Sequence, residues 1–251
     1  MRTPRVVLAA IATVLVVAGG AYTVDAVSAS RLEAEISARI APRAPGAGPP
    51  SVMTGGPFSR WSDSDTLSSV SIRAEGVERP GLGPVDVEAE AVDVRVPGGR
   101  DDDADDDHGL TARSVVVSVQ ITGDSLAPAL GMRDVLVGAA DDPSLAGGTE
   151  HRAHVAGTLI ESGERVSVIV DLVVDPSGAH LVPVAPATGP GGIPEQNRAL
   201  AMRSTALTFA PDLLPLGVPV ETLTVSGGTI TAAGTGGPDT PPLDGLVRDD
   251  L

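Results

Sequence analysis

Val85-Asp86-Val87-Glu88-Ala89-Glu90-Ala91 alternates apolar and acidic side chains, and Val92-Asp93-Val94-Arg95-Val96 resumes the alternation one residue out of phase. Successive side chains of a strand point to opposite faces, so a period of two means one face buried and one wet. The slip in phase predicts a β-bulge, which bends and twists the strand that carries it. Such a strand needs antiparallel neighbours that also bury a single face.

Those neighbours are readable on both sides. Upstream, Val70, Ile72 and Ala74 alternate with Ser71, Arg73 and Glu75, and Gly81-Leu82-Gly83-Pro84 supplies the connecting turn. Downstream, Val115, Val117, Val119 and Ile121 predict a third strand. Val166, Val168, Val170, Leu172 and Val174 predict another, joined through the turn at Glu161–Glu164 to a weaker strand over His154–Ile160. Val135–Ala139, Val220–Val225 and Thr229–Ala232 complete the strands, and no internal repeat is visible. Short helices are expected at Asp124–Leu130 and Pro194–Ser204.

The N-terminal part reads differently. Arg2 and Arg5 precede Val6–Val24, an uncharged run long enough to span a bilayer, and the arginines hold its start in the cytoplasm. Residues 1–24 are therefore expected to be a signal-anchor or a signal peptide, with small residues near 19–29 offering a cleavage site. Val24, Val27, Leu32, Ile36 and Ile40 recur near helical spacing, so a long amphipathic helix is expected over Val24–Ile40, stopped by Pro42. Residues 42–57 are rich in Pro and Gly and read as a loop. The exported domain is expected over 25–235, with an acidic loop at 98–110 and a disordered tail over 236–251.

Composition narrows the function. The net charge of −16 disfavours nucleic acid and loose adsorption to anionic headgroups. There is no cysteine, which removes thiol catalysis and cysteine-based zinc sites. Every basic side chain is Arg, and Ala, Gly, Val and Pro abound, the codon bias of a GC-rich genome such as an actinobacterium's. Aromatics are limited to Tyr22, Phe58, Trp61 and Phe209, too few for a stacking site. One face of each strand is aliphatic, so the sheet must cover something. On pattern alone a filled core is favoured over a groove. If there is a groove for acyl chains, its lining is expected from Val70, Ile72, Val117, Val119, Val168, Val170, Leu172, Leu223 and Val225. Phe58 and Trp61 flank a Gly-rich segment and are candidates for the membrane interface, or else cap the core.

Four stretches carry a resemblance: Arg31-Leu32-Glu33, Gly55-Gly56-Pro57-Phe58, the strand Val70–Ala74 with Gly83-Pro84-Val85, and Leu214-Pro215-Leu216-Gly217-Val218-Pro219 followed by Val225–Ile230. Together they resemble the actinobacterial LmeA-type phospholipid-binding family of the cell envelope, over residues 30–235. The resemblance implies an α+β fold in which a curved antiparallel sheet wraps a long N-terminal helix, as in tubular lipid-binding domains. It implies a cell-envelope protein, and with the N-terminal run an extracytoplasmic (periplasmic) one is expected, either anchored to the cytoplasmic membrane or released. It also implies a phospholipid partner, phosphatidylinositol included, in support of lipoglycan assembly. It implies no cofactor and no catalytic residue. Leu216 stands where that family's pattern leads one to expect an aromatic, and Asp101–Asp107 looks like an insertion.

Gly123-Asp124-Ser125-Leu126 has the setting of a GDSL-type esterase nucleophile. Its base is missing, however: the only Asp-x-x-His, Asp105–His108, lies upstream. A helix cap by Asp124 or Ser125 explains the same residues. The aspartates of 101–107 lack the spacing of a calcium loop. His151 and His154 have no third ligand nearby, and Glu161 and Glu164 suit a solvated turn. No metal site is expected. The rival to lipid binding is an anchored structural or interaction module with a filled core.

Overall fold

The computed structural model describes residues 30–40, 48–55, 66–96, 109–140, 151–187 and 195–247. Two antiparallel sheets hold most of them. The first contains β1 (Ser51–Thr54), β2 (Thr66–Val77), β3 (Val85–Arg95), β4 (Thr111–Thr122), β10 (Thr222–Ser226) and β11 (Thr229–Gly236), in the order β1-β2-β3-β4-β11-β10. The second contains β5 (Met132–Ala139), β6 (Arg152–Leu159), β7 (Arg165–Asp175), β8 (Gly178–Pro186) and β9 (Leu207–Thr208), in sequence order. The sheets curl into a half-barrel and meet where β10, at the edge of the first, lies against β5, β6 and β7. Strand so outweighs helix that the chain is mostly β, which corrects the expectation of an α+β class.

The phase slip in β3 is present: Val85, Val87, Ala89 and Ala91 are buried, Val92 is exposed and Val94 is buried again. Its cause differs from a bulge. The β3–β4 register is unchanged across it, Ala91 facing Val115 and Val94 facing Ala112, so no residue is added. Instead Asp93 takes a left-handed conformation (φ 52°), which turns the next side chain inward. The register shift of this sheet lies one strand away, between Ala74 and Val77 of β2, where Gly76 has φ 68°.

Helix α1 is described over residues 30–40. Leu32, Ile36 and Ile40 form its buried face at four-residue spacing. Glu33 Oε1 accepts from the Thr54 amide at 3.0 Å, and Ser37 Oγ donates to the Pro50 carbonyl at 2.6 Å, so α1 docks beside edge strand β1. The long helix expected over Val24–Ile40 is thus described only in its last three turns; residues 24–29 and the run Val6–Val24 lie outside the described residues. Among the described residues no helix is long and apolar enough to cross a membrane. The acidic segment 101–107, Phe58 and Trp61 also lie outside them.

Helix α2 (Gly123–Leu130) connects the two sheets. Its cap is Thr122, two residues before the first of those expected to cap it: Thr122 Oγ1 accepts from the Ser125 amide while Ser125 Oγ accepts from the Thr122 amide, each at 3.3 Å. Helix α3 (Glu195–Thr205) packs on β7 and β8.

Three strands have no counterpart among those expected from the sequence, the two-residue β9 being one of them. β1 lies in the stretch read as a loop, and β8 runs through Pro183 and Pro186. At the other end, residues 236–247, expected within a disordered tail, are placed. Leu243, Leu246 and Val247 enter the core, and a 3-10 turn over Leu243–Gly245 carries them there.

Candidate functional site

The nine groove candidates are brought together. Val70 and Ile72 of β2, Val117 and Val119 of β4, Val168, Val170 and Leu172 of β7, and Leu223 and Val225 of β10 all belong to one buried cluster shared by both sheets. The most exposed, Leu172, reaches only 6%. None of them lines either of two well-formed cavities among the described residues.

The larger cavity, about 490 Å³, falls within the range of small-molecule sites. Its wall is built from three chain segments that are far apart in sequence. The β2–β3 turn contributes Glu78, Arg79 and Pro80; the segment after β9 contributes Pro211, Asp212, Leu214, Pro215, Leu216 and Gly217; the C-terminal 3-10 turn contributes Gly245. The middle segment lies against β11 because Gly234 leaves room for it. A Cβ built on Gly234 would stand 2.0 Å from the Pro219 carbonyl oxygen.

Two features set this wall apart. Leu216 is buried at φ 60°, ψ 19°, the left-handed region that costs a residue with a Cβ about 1 kcal/mol. Its side chain is held by packing, since a Cβ on Gly245 would meet Leu216 Cδ2 at 3.4 Å. Such strain gathers at ligand clamps. The second feature is Arg79, the one charged side chain buried among the described residues, with Nη2 donating to the Leu246 carbonyl at 3.2 Å. Glu78 and Asp212, at the same cavity, are exposed. Leu214, Pro215 and Leu216 belong to a stretch already singled out by the resemblance. Arg79 had no local signal, because nothing in Glu78-Arg79-Pro80 shows that the guanidinium will be buried.

The smaller cavity, about 310 Å³, lies between the α2–β5 corner, the β6–β7 turn and α3, with Leu130, Leu159, Ile160 and Leu200 among its walls.

The arrangements that could carry catalysis are engaged otherwise. Ser125 is 1% exposed and its Oγ donates to the Pro84 carbonyl. The described histidines bond elsewhere: His151 to the Leu223 carbonyl, His154 to Ser167, His180 to Ser177 and Thr208. Asp175, Ser177 and His180 do meet in the β7–β8 turn. There Asp175 Oδ1 accepts from the Ser177 amide at 2.7 Å and from its hydroxyl, and lies 3.4 Å from His180 Nε2. A triad would place the carboxylate on the other ring nitrogen, Nδ1, which here faces Thr208. The cluster ties a turn. Among the described residues no three acidic or histidine side chains gather as a metal site would need.

A family model described as LmeA-like phospholipid-binding matches residues 23–235. No curated protein and no solved structure matches the chain.

Proposed function

Because the chain belongs to the LmeA-like phospholipid-binding family, we propose that it binds a phospholipid in the cell envelope without catalysing a reaction. The family match is the observation that carries this reading. The half-barrel and the cavity beside Leu216 and Arg79 support it, since they offer an apolar wall next to a charge. Phosphatidylinositol and a contribution to lipoglycan assembly are the finer parts of the proposal. Export rests on Arg2 and Arg5 ahead of the apolar run Val6–Val24, and anchorage rests on that run staying uncleaved.

In this reading the inner-face residues, Val168, Val170 and Leu172 opposite Leu223 and Val225 among them, meet acyl chains when the two sheets part along β10. The rival, a structural module with a permanently filled core, draws on one observation: all nine inner-face candidates are buried and line neither of the two cavities described above. Native mass spectrometry of the full chain, purified without detergent, separates the two. A co-purifying phospholipid mass is expected. A protein that stays bare after incubation with phospholipid vesicles sinks the proposal.

A further inference from the structure

Acyl chains need only an apolar wall, so a buried guanidinium at the cavity suits a ligand that also carries an anionic group. Arg79 is only 8% exposed, beside the apolar Leu214 and Leu216. A guanidinium presents planar paired donors that match a phosphate, and its charge acts more strongly where apolar walls exclude water. Arg79 Nη2 is oriented by its bond to the Leu246 carbonyl. The exposed carboxylates of Glu78 and Asp212 stand at the same cavity. They repel a bare anion but accept from N–H or O–H groups.

We infer that this cavity is the headgroup site, with Arg79 on the phosphodiester and Glu78 and Asp212 accepting from donors carried beyond it. The inference rests on the phospholipid reading and deepens it. The headgroup class is a phosphodiester bearing hydrogen-bond donors, supplied either by a polyol such as inositol or by the primary ammonium of ethanolamine. Choline offers no N–H or O–H. Phosphatidic acid carries more charge on its phosphate and has nothing beyond it.

The test incubates the full chain with phosphatidylcholine vesicles doped with phosphatidylinositol, phosphatidylethanolamine or phosphatidic acid, then extracts and quantifies lipid from the recovered protein. The wild type is expected to prefer the inositol or the ethanolamine lipid over choline and phosphatidic acid, and the preferred one identifies the source of the donors. Glu78→Gln with Asp212→Asn should erase that preference by about ten-fold while total lipid persists. Arg79→Gln should lower total phospholipid about ten-fold, and Arg79→Lys should restore part of it. An unchanged preference in the double variant overturns the inference, as does wild-type uptake of phosphatidylcholine or phosphatidic acid at the level of the other two. If Arg79→Gln fails to fold by circular dichroism, the double variant decides alone. A wild type that takes up none of the four lipids defeats the phospholipid reading itself.

Discussion

Arg79 and Leu246 stand 167 residues apart in the chain, yet the Arg79 guanidinium donates to the Leu246 carbonyl at 3.2 Å. The bond fastens the β2–β3 turn to the C-terminal segment. A second tie runs alongside it. Asp244 Oδ2 accepts from the Leu110 amide at 3.0 Å and the Leu243 amide donates to the Leu110 carbonyl at 2.8 Å, at the start of β4. Leu243 and Leu246 are at most 1% exposed, so the segment works as a strap that closes the core. Leu246→Ala is therefore expected to cost about 2–5 kcal/mol, the range for truncating a buried leucine. Ending the chain at Gly236 should cost more. Urea denaturation reads both; a truncated chain with the midpoint of the full one would show the strap to be ornamental.

Gly234 of β11 is the close approach behind the cavity wall. Its missing side chain leaves the Pro219 carbonyl room, and an added Cβ would meet that backbone oxygen at 2.0 Å. Gly234→Ala should push the Leu214–Pro219 wall outward and cost about 1–3 kcal/mol, as overpacking does. Gly138 of β5 is the control, because nothing lies within 4 Å of its Cβ position. Equal melting temperatures for the two variants would contradict this placement.

The legible parts of the fold were those whose burial is written locally. β4 and β7 alternate cleanly, so Val115–Ile121 and Val166–Leu172 announce themselves. β8 does not: Val182 and Val184 are exposed, Pro183 and Pro186 interrupt, and the register against β7 shifts between Ile169 and Val170. A proline reads as a break even where an irregular register accommodates it. The strap was hidden for another reason. Its Gly, Pro and Asp composition resembles a solvated tail, and only contacts with Leu110 and Arg79, fixed by the whole fold, draw Leu243 and Leu246 inward. The same holds for the cavity. Leu214–Leu216 lay in a recognisable stretch, but its meeting with Glu78, Arg79 and Gly245 depends on three separate loops.

Ser125 separates a capping role from a catalytic one. Its hydroxyl closes the capping box with Thr122 and donates to the Pro84 carbonyl, all out of solvent. Ser125→Ala should lower stability by about 1–2 kcal/mol, as loss of a cap does. Any hydrolysis of p-nitrophenyl esters by the protein preparation should be unaffected. A wild-type esterase activity that vanishes in the variant would reinstate the serine as a nucleophile.

The β7–β8 turn carries a pH response. Hydrogen bonds from Ser177, first its hydroxyl and then its amide, hold the Asp175 carboxyl below its ordinary value of 3.8, with the nearby His180 adding to the effect. A depressed folded pKa contributes stability above the unfolded value, and the contribution is lost as pH falls through the folded one. The turn should therefore stay closed at neutral pH and loosen only in acid below that ordinary value. Exchange of the Ser177 amide proton, followed by NMR, should show local opening there. Ser177→Ala should raise the Asp175 pKa toward normal; an unmoved titration curve would assign the depression elsewhere.

Val170 decides whether the inner face opens. It lies in the middle of β7, fully buried, with Ala153 of β6 on one side and Pro183 of β8 on the other. Val170→Asp places a carboxylate where the proposed function places acyl chains. An ionised group cut off from water is costly enough to shift its pKa or draw water in. If the sheets part along β10 to admit lipid, water follows them to the carboxylate, and the variant is expected to stay folded while losing its lipid. In a permanently filled core no water arrives, and the same substitution removes several kcal/mol and unfolds the protein. Circular dichroism alongside lipid extraction distinguishes the two. A folded variant with its full lipid load would remove β7 from the wall. An unfolded one would make the inner face a fixed core and confine the lipid to the cavity beside Arg79.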